Sequence, residues 1–91
     1  KIDATYVPNL LSLGKLLYMR QDWDSALKIL QTLLLHQMSI KDPQDKLDMY
    51  YYLGQVRLQT GDARRAKDMF NRALGVDANH QPSRDALEQI G

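Results

Sequence analysis

The sequence contains no cysteine, so disulfide staples and thiolate-bound metals are excluded, while the redox compartment stays open. Glutamate is nearly missing too: Glu88 stands alone against ten aspartates. Aspartate is a poor helix-interior residue, so it belongs at helix starts and turns. No apolar run approaches the roughly 20 residues needed to span a bilayer, and no signal peptide is visible. β-branched residues are few and nowhere alternate with polar ones, which leaves no strand pattern. Phosphate-cradling Gly-rich loops, GxSxG, HExxH and dinucleotide fingerprints are all absent, so the chain is expected to be neither an enzyme nor a cofactor carrier. Twelve Lys and Arg against eleven Asp and Glu leave a net charge of +1, too balanced to favour nucleic acid or an anionic membrane as partner.

What is present is helical periodicity. At 91 residues and 44% hydrophobic, the chain reads as one small folded domain near the lower limit for a self-sufficient core. Leu10, Leu13 and Leu17 predict a first helix from about Tyr6 to Arg20. Gln21-Asp22 make a turn. Trp23, Ala26, Leu27, Leu30, Leu33 and Leu34 then predict a second helix ending near Gln37. Ser39 to Gln44 is a break, where Pro43 disfavours helix at Asp42 and suits the first turn of a third helix. That helix carries Leu47, Tyr50, Leu53 and Leu58 and stops at Thr60-Gly61. A fourth starts at Asp62 with Ala66, Met69, Phe70, Ala73 and Leu74 facing inward, and Pro82 opens a short last helix with Ala86, Leu87 and Ile90.

Two stretches repeat. Leu13-Gly14 is followed by Asp22-Trp23 and Ala26-Leu27, and Leu53-Gly54 by Gly61-Asp62 and Ala66, with twelve residues from Gly to Ala both times. A repeated helix–turn–helix of this size implies a stacked solenoid, which is a binding surface rather than a reaction vessel. Gly inside a helix costs roughly 1 kcal/mol against Ala, so Gly14 and Gly54 are expected where a paired helix crosses closely, facing Ala26 and Ala66.

The second unit, about 47–80, resembles a tetratricopeptide repeat. Tyr50 stands for the family's Trp, Leu53-Gly54 for its Leu-Gly and Gly61-Asp62 for its turn. Ala66, Phe70 and Ala73 fill the second-helix signature, and Asp77-Ala78-Asn79 resembles the closing Asp-Pro-Asn. Arg57 departs from an expected aromatic. The first unit, about 7–40, is a looser copy through Leu13, Gly14, Trp23 and Ala26, with Gln21 in place of the turn Gly. The segment 82–90 resembles an opening helix of a further repeat or a closing helix. The resemblance implies an all-α, right-handed solenoid of about five helices, here read as a piece of a longer protein.

The family binds peptides on the concave face lined by the first helix of each pair. By resemblance that face comprises Leu11, Ser12, Lys15 and Tyr18 from one unit, and Asp48, Tyr51, Tyr52, Gln55 and Gln59 from the other. Tyr50 to Tyr52 splay over about 200° of helix, so Tyr50 is expected in the core and its two neighbours on or beside the groove. One subfamily grips a terminal carboxylate with a Lys and Asn one turn apart. Here Leu11 and Lys15 stand in those places, which argues against that clamp. The implied partner is a protein or peptide. The alternative is an assembly module whose ends pair two chains or dock within a larger array, through Leu16, Leu34, Leu35 or Ile90. His36 and His80 lack ligand or base spacing, Asp42, Asp45 and Asp48 read as helix-start acids rather than a metal site, and Arg64, Arg65, Lys67 and Arg72 read as a solvated face paired through Asp68.

Overall fold

A computed structural model describes residues 6–91. Five helices follow one another: α1 (Val7–Met19), α2 (Trp23–Leu35), α3 (Pro43–Gln59), α4 (Ala63–Val76) and α5 (Gln81–Ile90), with a 3-10 turn at Gln37–Ser39 between α2 and α3. No strand occurs among the described residues. α2 is shorter than its apolar stripe predicts, ending at Leu35 because the chain tightens into the 3-10 turn.

The aspartates account for the starts. Asp22, Asp42 and Asp62 are the N-caps of α2, α3 and α4, their carboxylates accepting from the backbone N–H of Ser25, Gln44 and Arg65. Each satisfies one of the donors a helix N-terminus leaves open, worth about 1 kcal/mol. The turns that precede two of these caps need a left-handed residue. Gly61 supplies it with φ 84°, and Gln21 adopts the same region with φ 63° at the equivalent place in the first pair.

α1 packs on α2, α3 on α4, and α2 on α3, so the two hairpins stack side by side and α5 closes on α4. Close approach explains the mid-helix glycines, and the nearest atoms belong to Leu30 and Phe70. A Cβ on Gly14 would lie 2.9 Å from Leu30 Cδ2, and one on Gly54 would lie 2.7 Å from Phe70 Cε1. Leu30 and Phe70 each sit one turn beyond the buried Ala26 and Ala66. The main core joins α1, α2, α3 and the inner face of α4 through Leu11, Leu30, Leu33, Leu47, Leu53 and Val56. A second cluster, Ala66, Phe70 and Ala86, ties α5 to α4.

The two ends differ. α5 buries Ser83 and Ala86 but presents Gln81, Arg84, Asp85 and Glu88 to solvent. The outer side of α1 exposes Tyr6, Leu13 and Leu16.

Candidate functional site

The predicted groove residues fall on α1 and α3, which pack together. Lys15 Nζ meets Asp48 Oδ2 at 2.8 Å across the two helices, and Gln44 Nε2 donates to the other carboxylate oxygen at 3.0 Å. The same ammonium lies 5.6 Å from the Tyr52 ring centroid, within cation–π range. Around this ion pair runs a chain of rings. Tyr18 meets Tyr52 edge-on at 5.4 Å, and Tyr52 meets Tyr51 edge-on at 5.3 Å. Such pairs are each worth roughly 0.5–1.5 kcal/mol beyond their burial. Gln55 Nε2 donates to the Tyr51 hydroxyl at 3.0 Å.

Two members of this chain are not apparent from the sequence reading. Trp23 extends it at one end, 5.5 Å from Tyr18. His80 extends it at the other, edge-on to Tyr51 at 5.3 Å, with its Nδ1 2.7 Å from the buried Ser83 hydroxyl. Trp23 was within reach of sequence argument, because only a three-residue turn separates α1 from α2. His80 was not, since its approach to Tyr51 depends on how α5 closes.

Leu11 is corrected. It is 3% exposed and belongs to the core, because an apolar side chain between the two hairpins is drawn inward while the charged Lys15, one turn on, stays at the surface. Ser12 and Gln59 are exposed, and Lys15, Tyr18, Asp48, Tyr51, Tyr52 and Gln55 are half-buried. Tyr50 is buried, its hydroxyl donating to Gln37 Oε1 at 2.6 Å. Burial foremost, then the nearby Tyr51 and Tyr52, pushes the Tyr18 phenol above its ordinary pKa. Asp45 is likewise raised, chiefly by burial and then by Asp42 and Asp48, with Lys15 opposing.

The second-helix signature residues Ala26, Ala66, Phe70 and Ala73 are all buried, as are Gly14, Leu53 and Gly54, whereas Leu13 is exposed and Trp23 half-buried. Asp68 pairs with Arg72 at 3.4 Å, but Arg65 turns to Asp62 at 3.6 Å instead. His36 Nδ1 contacts the Thr32 carbonyl oxygen at 2.9 Å.

The sequence that forms these repeated hairpins matches a family model, the tetratricopeptide repeat, over residues 6–79. The chain belongs to the tetratricopeptide repeat family. No curated protein and no solved structure matches it. Tetratricopeptide repeats mediate protein–protein interaction, and the site has the parts for that: aromatic faces, phenol and amide groups, and one ion pair, suited to non-covalent recognition.

Proposed function

We propose that this tetratricopeptide repeat domain binds an extended peptide or a partner helix along the α1–α3 face. One observation carries the reading. Trp23, Tyr18, Tyr52, Tyr51 and His80 form an unbroken run of ring contacts that links both hairpins to the start of α5. Half-buried tyrosines supply large, rigid contact area at low entropic cost, and the Lys15–Asp48 pair beside them offers both charges to a ligand.

The test is selection of peptides from a random library, followed by titration of the selected peptides against Lys15→Ala and Tyr52→Leu. Affinity is expected to fall at least tenfold under conditions where circular dichroism shows both variants folded, Tyr52→Leu losing some stability with its two ring pairs. Unchanged affinity in both variants sinks the proposal.

A second reading rests on a separate observation. Leu13 and Leu16 are 40% and 45% exposed, while their equivalents one repeat later, Leu53 and Val56, are 1% and 0% exposed. Positions that the second repeat buries are bare in the first. Among the described residues α5 presents a polar outer face, so self-association through the apolar side of α1 pairs that side with its own copy and closes at a two-fold dimer rather than a filament. Of the earlier candidates, Leu34 and Ile90 are half-buried while Leu35 is exposed. Sedimentation equilibrium tests this reading: a dimer that Leu13→Asp with Leu16→Asp dissociates supports it, and a monomer at high concentration removes it.

A further inference from the structure

Arg57 occupies the first-helix position where the family pattern expects an aromatic ring, and neither reading above uses it. Its side chain is 14% exposed, and its guanidinium is 3.9 Å from Asp62. It lies roughly 140° around α3 from Tyr52, well away from the tyrosine face. There it helps line a surface pocket of about 270 Å³ with Leu34, Leu53, Arg65, Asp68, Met69 and Arg72.

The pocket has two kinds of wall. Its floor is the buried Leu53 and Met69, from α3 and α4, and its reachable apolar wall is the half-buried Leu34 of α2. Its polar part carries three guanidiniums against the carboxylates of Asp62 and Asp68. The ion pairs among them are loose: Arg57 at 3.9 Å and Arg65 at 3.6 Å from Asp62, and Arg72 at 3.4 Å from Asp68. A charge-assisted N–H···O bond closes to about 2.7–2.9 Å, as Lys15 and Asp48 do at 2.8 Å. A guanidinium carries five donors in a planar fork, so these three retain donors for another carboxylate. The volume falls below the roughly 300–1,000 Å³ of small-molecule clefts, which suits one or two side chains of a longer chain.

We infer that this pocket is a second, independent recognition site, which seats an apolar side chain against Leu34, above the buried Leu53 and Met69, while Arg57, Arg65 and Arg72 bind an adjacent carboxylate. The partner it fits is an acidic peptide segment with an aliphatic residue next to Asp or Glu.

The probe is a fluorescein-labelled Asp-Glu-Leu-Asp-Glu-Leu peptide, titrated into the uniformly ¹⁵N-labelled domain. The expected result is shifts of the Arg57, Arg65 and Arg72 Nε–H signals and of the Leu34 and Met69 amides, with binding weakened by added salt. Affinity should fall at least tenfold for Arg65→Glu with Arg72→Glu, two exposed positions whose reversal lowers the melting temperature by a few degrees at most and leaves the domain folded at the assay temperature. The Asn-Gln-Leu-Asn-Gln-Leu peptide should bind at least tenfold more weakly, and Tyr52→Leu should leave the acidic peptide's affinity unchanged. Shifts confined to Tyr51 and Tyr52, absence of binding, or indifference to the charge reversal would each overturn the inference. So would preferential displacement of the peptide by single-stranded dT10, which would assign the arginines to a phosphate backbone.

Discussion

Leu13 and Leu53 hold the same place in two repeats, forty residues apart, and meet opposite surroundings. Leu53 packs between α2 and α4 in the main core, whereas Leu13 is 40% exposed. The helical periodicity and neighbouring Leu-Gly motif are alike. What differs is the helix before: α3 follows α2, whose face covers it, while among the described residues no helix covers the corresponding side of α1. In a solenoid, burial is therefore a property of the stack and not of the repeat, as expected when each unit contacts only its neighbours.

The largest contrast should come from truncating these two leucines. Leu53→Ala is expected to cost about 2–5 kcal/mol through lost transfer energy and an unfilled cavity. Leu13→Ala should cost under about 1 kcal/mol in dilute solution, since little of its surface leaves water. Urea unfolding of both variants measures the difference. An equal cost at Leu13 that fades on dilution would show that a second copy covers it, because association stabilises by mass action.

The glycines offer a finer comparison. A Cβ at Gly54 meets three atoms of the Phe70 ring within 3.0 Å, while one at Gly14 meets the flexible end of Leu30. Gly54→Ala should lose about 1–3 kcal/mol to overpacking, offset by roughly 1 kcal/mol of helix propensity. Gly14→Ala should stay within about 1 kcal/mol of the parent. Thermal unfolding of the pair tests the ordering, and a reversed order would mean that Leu30 is more firmly held than the ring. The connecting turns make the same kind of pair. Gln21→Gly, relieving a left-handed non-Gly residue, should gain up to about 1 kcal/mol, the penalty of roughly 1–2 being offset by the entropy glycine loses on folding.

Much of this was legible in the residues. The repeat, the five helices, the aspartate caps and the need for glycine at two crossings follow from period, propensity and spacing. The site was less so. Leu11 and Lys15 share a helix face, yet one is core and the other surface, because spacing does not say how deep the neighbouring hairpin reaches. The atoms nearest to Gly14 and Gly54 belong to Leu30 and Phe70, and which side chains meet them is set by the axial offset between paired helices, which packing decides. His80 reaches Tyr51 only through the closure of α5, and no local pattern carries that.

The smallest effect expected is electrostatic and concerns Tyr18. Its phenol is raised above the ordinary value of 10.0 by burial first, then by Tyr51 and Tyr52. A folded-state pKa above the unfolded one means that the native state holds its proton more tightly. Its contribution to stability is present in full below the unfolded phenol's pKa and is lost as pH rises through the folded one. Tyr18→Phe keeps the ring against Trp23 and Tyr52 but removes the titrating proton. Melting temperatures across about pH 8 to 11 should therefore decline less steeply in the variant than in the parent. Identical slopes would mean that groups other than Tyr18 govern the alkaline loss of stability.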